Sequence, residues 1–239
     1  GEERWRALTA KEPGYCPPAI IEGDGTRVLI IWHPEAINGL DPNTGKVLWS
    51  VPWEIRSGLS IPTPRLEGKR LFLTSFYNGA TMLEFTSFDK EPKVNWQTKR
   101  ASEKRTEHLN SIMGTPFIKD GHIYGGCSYG QFRCLQVSDG KRLWETLEPI
   151  VKKEERWGNV FVTPHEDRYF LFNERGELII AKLSPKGYEE ISRAKLIEPN
   201  GTDMERMRPV VWSHPAYANQ NIFVRNDTEI RCFSLKAES

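Results

Sequence analysis

Apolar residues occur along the chain in short runs, each bounded by glycine, proline or polar turn residues. The clearest runs lie at 28–31, 71–73, 122–124, 169–172 and 222–224. Runs this short, rich in β-branched and aromatic residues, are typical of β-strands and too short for helices. A proline-marked segment and a tight turn precede each run, at Pro18, Pro64, Pro116, Pro164 and Pro215. The pattern therefore predicts an all-β chain of five repeated units, each of which begins with a proline-marked segment, a tight turn and a short apolar strand.

A second marker repeats with the same period. Segment 37–49 reads INGLDPNTGKVLW, and segment 132–144 reads FRCLQVSDGKRLW. A degraded copy ends at Trp96, and a further one ends at Ile191 in place of tryptophan. The positions 49, 96, 144 and 191 are separated by 47, 48 and 47 residues. A unit of this length accommodates four short antiparallel strands, which is the layout of a β-propeller blade.

The repeat divides one propeller domain, spanning 1–239, into about five blades. Their approximate bounds are 13–53, 57–99, 111–149, 157–196 and 208–238. The fifth unit stops one strand short, and residues 3–8 around Trp5 look like a separate fourth strand. Two arrangements follow: residues 3–8 close a five-bladed ring, or the chain is an arc of a seven- or eight-bladed ring. An arc leaves exposed blade edges, which would favour self-association.

The repeat carries a family resemblance. The unit Asp41-x-x-Thr44-Gly45-x-x-x-Trp49 resembles the tryptophan-docking repeat of quinoprotein alcohol dehydrogenases. It is also similar to that of a non-enzymatic relative, the bacterial outer-membrane-assembly lipoprotein. The resemblance implies that a turn glycine packs on the tryptophan of a neighbouring blade, because only glycine lets a backbone approach a flat indole. The docking residues it assigns are Trp5, Gly45, Trp49, Trp96, Gly140 and Trp144.

The resemblance covers nearly the whole chain and has further implications. Segments 174–178 and 212–218 look like those of planctomycete-type propellers, which often have seven or eight blades, and this favours the arc. The chain departs from the family pattern at Gly39 and Cys134, where the family prefers alanine, and at Ile191. The resemblance also implies a bacterial protein that is periplasmic or otherwise extracytoplasmic.

Composition and charge exclude several function classes. The net charge is +1, so bulk electrostatics give no reason to expect nucleic-acid binding. No apolar run approaches the ~18 residues that span a bilayer. The four cysteines and five histidines are dispersed without the spacing of a metal site, so we expect no metal.

The family resemblance raises one enzymatic alternative, a pyrroloquinoline-quinone-dependent alcohol dehydrogenase of the polyvinyl-alcohol type or its degenerate relative. Such enzymes bind the quinone with a calcium ion that carboxylate and amide oxygens ligate. No two cysteines are adjacent, although many of these enzymes stack the quinone on an adjacent-cysteine disulfide. No Asp, Glu or Asn matches the calcium ligands by motif. The sequence therefore favours a non-catalytic scaffold without a cofactor, with quinone and calcium as the alternative.

The long connections between blades identify a preferred face. They share a rim with the turns between second and third strands, whereas the opposite rim has only tight turns. Long loops on a rigid scaffold commonly carry binding residues. The rim candidates are Arg156, Trp157, Glu174, Arg175, Arg208, Trp212, His214, Asn226 and Asp227. We therefore expect a binding module for a protein or glycan, against the simpler interpretation of a solvated loop surface.

Overall fold

Strands dominate the described chain. A computed structural model describes residues 1–23, 25–202 and 208–236. Within these ranges every regular element is a β-strand except one turn of 3-10 helix, Arg56–Gly58, which confirms the all-β prediction. None of the described residues forms a helix with the length and apolar character needed to cross a membrane.

Four sheets contain four antiparallel strands each, in chain order, and we call them blades 1 to 4. Blade 1 consists of β1 (Ala19–Gly23), β2 (Thr26–His33), β3 (Ala36–Leu40) and β4 (Val47–Pro52). Blade 2 consists of β5 (Arg65–Glu67), β6 (Arg70–Ser75), β7 (Gly79–Glu84) and β8 (Lys93–Gln97). Blade 3 consists of β9 (Phe117–Lys119), β10 (His122–Gly126), β11 (Phe132–Gln136) and β12 (Arg142–Thr146). Blade 4 consists of β13 (Val160–His165), β14 (Arg168–Asn173), β15 (Glu177–Ser184) and β16 (Gly187–Lys195).

The last sheet, blade 5, is incomplete in the described part of the chain. A two-stranded ribbon, β17 (Gly201–Thr202) and β18 (Pro209–Val210), lies in the connection that leads to it. Blade 5 itself consists of β19 (Ala216–Ala218), β20 (Asn221–Arg225) and β21 (Ile230–Ser234). Among the described strands β21 pairs only with β20, so the outer strand of a four-stranded blade is missing here.

The hydrophobic core lies between blades. Along β2 the side chains of Val28, Ile30 and Trp32 are buried and alternate with more exposed neighbours, as expected for a strand with one face in a core. Four apolar clusters join blades 1 and 2, 2 and 3, 3 and 4, and 4 and 5. Each blade therefore depends mainly on its immediate neighbours, as in other repeat proteins.

Four tryptophan indoles each donate a hydrogen bond to a backbone carbonyl of the next blade. The donor–acceptor pairs are Trp5–Pro42 (3.2 Å), Trp49–Phe88 (2.8 Å), Trp96–Val137 (2.9 Å) and Trp144–Ser184 (2.8 Å). We call positions 49, 96, 144 and 191 the docking positions of blades 1 to 4. The acceptor residue precedes the docking position of its own blade by seven residues in blades 1, 3 and 4, and by eight in blade 2. We call these four contacts the indole bridges, and their contribution to stability stays a prediction.

Glycine makes two of the indole bridges sterically possible. A Cβ on Gly45 would lie 2.4 Å from the Trp5 ring, and one on Gly140 would lie 3.1 Å from the Trp96 ring. Both glycines have φ near +70°, where other L-residues are strained. The departure at Gly39 has a similar cause, because its Cβ would lie 2.2 Å from Trp49, its cross-strand partner.

The two ends of the array differ from the expected pattern. Residues 3–8 form no strand, because no described strand pairs with them, although Trp5 lies against blade 1. Ile191, at the docking position of blade 4, is 44% exposed. Whether the blades close into a ring or belong to a larger arc stays a prediction.

We expect Trp49→Ala to lower the free energy of unfolding by about 3–5 kcal/mol, because it removes a buried indole and leaves a cavity. Trp49 is 3% exposed and contacts both blades 1 and 2. Urea unfolding followed by circular dichroism measures the difference. Ile191→Ala is the matched control at the same repeat position, and we expect it to cost about 0.5 kcal/mol or less. Equal losses in the two variants would contradict a structural role for the indole bridges.

Candidate functional site

The strand order places all long connections on one edge of the array, which we call the connector rim. It contains the connections 53–64, 98–116 and 147–159, the described parts 196–202 and 208–215 of the last connection, and the turns between second and third strands. The opposite edge, the docking rim, contains the turns between first and second and between third and fourth strands, where the indole acceptors lie.

Arg156 is the centre of one cluster on the connector rim. Its Nε and Nη2 atoms donate to Oε2 of Glu103 over 2.8 and 2.5 Å, and Nη2 also donates to the Tyr77 hydroxyl over 3.3 Å. Its Cζ lies 4.3 Å from the ring centroid of Trp157. The cluster therefore joins connections 98–116 and 147–159 to the turn between β6 and β7.

The cluster extends outward to a cation on the first connection. Cζ of Arg56 lies 4.6 Å above the ring of Tyr77, at a distance typical of a cation–π contact. Arg56 is exposed, the side chain of Arg156 is 39% exposed, and Tyr77 and Trp157 are half-buried. These four residues form a continuous accessible surface, which we call the cation–aromatic row.

Glu174 is the centre of a second, buried cluster. The residue is 2% exposed, and its Oε1 accepts a 2.6 Å hydrogen bond from Nη2 of Arg208. Its Oε2 accepts from the Trp212 indole and from the Asn159 backbone, each over 3.2 Å. Burial raises the pKa of Glu174, and the bonds from Arg208 and Trp212 only partly offset this effect.

The two clusters are physically continuous. Arg208 pairs with Glu155 over 3.1 Å and donates to the backbone carbonyl of Arg156 over 3.2 Å. Beside them, the backbones of Gly158 and Gly130 are so close that a Cβ on Gly158 would lie 2.5 Å from the other Cα. Asn159 Oδ1 accepts from the Gly114 N–H over 2.8 Å. The contacts fix three connections relative to each other before any ligand binds.

The structure brings five of the nine predicted rim residues together, namely Arg156, Trp157, Glu174, Arg208 and Trp212. The sixth, Arg175, instead pairs with Glu177 over 2.8 Å, and Glu177 also pairs with Arg193. Arg175 therefore belongs to a separate ion-pair group.

The other three predicted residues lie at blade 5. Asn226 is buried and organises its own turn, because its Oδ1 accepts from the N–H groups of Thr228 and Glu229. Asp227 is exposed on that turn. His214 is exposed and its ring packs on Phe161 with centroids 4.1 Å apart. Within the described residues none of the three side chains forms a hydrogen bond or ion pair with Arg156, Glu174 or Arg208.

Several residues of the site escaped the sequence prediction. Glu103 lies in the basic segment 99–107, and Tyr77 lies in a tight turn that belongs to no repeated motif. Asn159 donates its backbone N–H to Glu174, and the side chain of Glu155 pairs with Arg208. Both residues lie on connection 147–159, whose path no sequence motif predicts. The only feature of the sequence that could have indicated one of these residues was the aromatic pair Phe76–Tyr77 in a turn between strands.

The residues do not fit a calcium–quinone site. Both carboxylate oxygens of Glu174 are already occupied by N–H donors, and Asp227 stands on an exposed turn. Across 1–23, 25–202 and 208–236, no group of three or more His, Cys, Asp or Glu side chains is placed to hold a metal ion. All four cysteines are free thiols and no two are adjacent in sequence.

A family model described as outer membrane protein assembly factor BamB matches residues 1–236. The chain belongs to this family. The match confirms the predicted resemblance to propellers with pyrroloquinoline-quinone-like repeats. No curated protein matches the chain in sequence.

Solved structures show the BamB-family fold at low sequence identity. BamB from Moraxella catarrhalis superposes with a TM-score of 0.60 at 14% identity, covering 92% of this chain and 58% of that protein. The quinohemoprotein alcohol dehydrogenase from Comamonas testosteroni gives 0.56 at 10% identity, covering 82% and 42%. A europium-containing methanol dehydrogenase gives 0.51 at 12% identity, covering 80% and 44%. The chain thus spans little more than half the length of the BamB structure, and these likenesses show the fold alone.

We expect Glu174→Gln and Glu177→Gln to change the pH dependence of stability in opposite directions. Because the folded-state pKa of Glu174 is raised, the wild type should lose stability relative to Glu174→Gln as the pH rises above the ordinary range of a glutamate. Burial also raises the pKa of Glu177, but hydrogen bonds from Asn173, Arg175 and Arg193 outweigh it and the pKa is lowered. The wild type should therefore lose stability relative to Glu177→Gln as the pH falls through that range.

Urea unfolding of the three proteins between about pH 3.5 and 7.5 measures both differences, the range bracketing the ordinary pKa of glutamate. Each variant is the control for the other, since both remove one carboxylate from the same turn region of blade 4. The same sign of pH dependence in the two variants would contradict the assigned environments.

Proposed function

We propose that the chain is a non-catalytic propeller module that binds a protein partner through its connector rim. The cation–aromatic row of Arg56, Tyr77, Arg156 and Trp157 carries the proposal. Arginine, tyrosine and tryptophan supply most of the binding energy at many protein interfaces. Their rings and guanidinium groups here are accessible and lie side by side on one surface.

Preorganisation supports the same function. Arg156 is fixed by Glu103, and its backbone carbonyl is fixed by Arg208, which in turn pairs with the buried Glu174. A surface whose side chains are already ordered pays less conformational entropy when a partner binds. The row is therefore suited to recognition of a partner by a rigid surface.

Family membership is a second line of support. The family is described as an outer membrane protein assembly factor, an activity that involves other proteins. On this basis we also propose that the chain acts outside the cytoplasm, in the periplasm or a comparable compartment. A glycan, which aromatic rings could also bind by stacking, is the other ligand class that the following experiment distinguishes.

Site-specific photocrosslinking followed by a binding titration tests the proposal. A photoreactive residue at position 56 should crosslink a protein in the producing cells, whereas one at Lys93 or Lys186, on or beside the docking rim, should not. With the purified partner, we expect Trp157→Ala and Arg56→Ala each to raise Kd about tenfold or more, as for interface hot spots. Biolayer interferometry measures the change.

Lys93→Ala and Lys186→Ala are the matched controls for the titration and should leave Kd unchanged. Crosslinking of equal strength on both rims, or loss of affinity in the control variants, would contradict the proposal. Crosslinking of polysaccharide alone would replace the protein partner with a glycan.

The alternative function, a quinone-dependent dehydrogenase or its degenerate relative, draws its support from the fold shared with two dehydrogenases. Calorimetric titration of the chain with pyrroloquinoline quinone and Ca²⁺ tests it. We expect no saturable heat, because the described residues form no carboxylate group suited to calcium. Saturable binding that Glu174→Gln or Asp227→Asn abolishes would establish the alternative instead.

A further inference from the structure

Four cations on connection 98–116 have no partner within the described part of the chain. Lys99, Arg100, Lys104 and Arg105 are exposed, and none of their side chains forms an ion pair or hydrogen bond with a described residue. By contrast, Arg133, Arg142 and Arg156 on the adjoining elements are all paired with carboxylates. The four cations of this connection therefore lack the ion pairs that the neighbouring arginines form.

The same four cations line a cleft of about 540 Å³, which we call the basic cleft. Arg133 and Arg142 complete its wall, and three glutamates are the only acidic residues among the described lining. One of them, Glu145, already accepts 2.9 Å hydrogen bonds from both Arg133 and Arg142. The cleft thus has six cations against three carboxylates, in a protein whose net charge is only +1.

Arg133 gives the basic cleft a rigid floor. Its side chain is 3% exposed, and Nη1 donates to the backbone carbonyls of Thr106 and His108 over 2.9 and 2.5 Å. Nη2 donates to the Thr106 hydroxyl over 3.0 Å. The path of segment 104–108 is therefore held from below, which fixes where Lys104 and Arg105 leave the backbone.

We propose that the basic cleft binds an acidic peptide segment of the partner protein, an inference that rests on the proposed function of the connector rim. Closely spaced cations in a concave site attract carboxylates strongly, because the field is focused there and arginine can bind them bidentately. The cleft has room for several residues. None of the described lining residues is aromatic, so this lining lacks the stacking platform typical of single-stranded nucleic-acid sites.

Fluorescence anisotropy with a labelled twelve-residue peptide of alternating Glu and Gly tests the proposal. We expect saturable binding by the full chain that weakens at higher salt, as for contacts between exposed charges. The double variant Lys104→Glu with Arg105→Glu should raise Kd about tenfold or more, since it replaces attraction with repulsion. The variant Lys46→Glu with Lys119→Glu changes the net charge equally on the docking rim and should bind as the wild type does.

A Gln–Gly peptide of the same length should not bind. Equal losses in the two double variants would overturn the proposal, because binding would then follow net charge alone. Binding of heparin or single-stranded DNA without binding of the acidic peptide would also overturn it. If the acidic peptide fails while Trp157→Ala still weakens binding of the crosslinked partner, only the basic cleft is refuted and the proposed function of the rim stands.

Discussion

A hydrogen bond from a tryptophan indole to a backbone carbonyl holds each of blades 1 to 4 to the tryptophan that precedes it, and we predict that the arrangement of these blades depends on this contact. It recurs four times in succession, from Trp5 to Trp144, with nearly constant sequence spacing between acceptor and docking position. Each bridge combines a large apolar ring with one directional bond, so it fixes both the distance and the orientation of neighbouring sheets. The apolar clusters between blades supply area but little direction.

One bridge connects this scaffold to the binding surface. The ring of Trp96 stacks on His108 with centroids 4.8 Å apart, and a Cβ on Gly140 would lie 2.6 Å from the same histidine. Burial lowers the pKa of His108, so the stack forms between neutral rings near pH 7. The carbonyl of His108 accepts from Arg133, which forms the floor of the basic cleft. Trp96 is thus connected to the connector rim by its stack on His108 and by the bond from Arg133 to the His108 carbonyl.

The sequence was sufficient for the blades because their elements repeat. Strand alternation, turn glycines and the tryptophan period are local signals, and the four-stranded sheets follow from them. The face that carries the site could also be predicted from the sequence, since antiparallel strand order alone puts long connections on one rim. The partners of each side chain could not be predicted, because connections 98–116 and 147–159 have no repeated pattern. Glu103 reaches Arg156 across 53 residues of sequence, and Arg175 pairs with the nearer Glu177 rather than with the Arg156 or Glu174 clusters.

We predict that the indole bridge of Trp96 holds the connector rim in place. Hydrogen–deuterium exchange of residues 98–109 in Trp96→Ala and Trp49→Ala, under conditions where both variants stay folded, tests it most directly. Exchange in this segment should accelerate in Trp96→Ala and match the wild type in Trp49→Ala, because only Trp96 stacks on His108. Unchanged exchange in Trp96→Ala, or equal acceleration in both variants, would contradict the account.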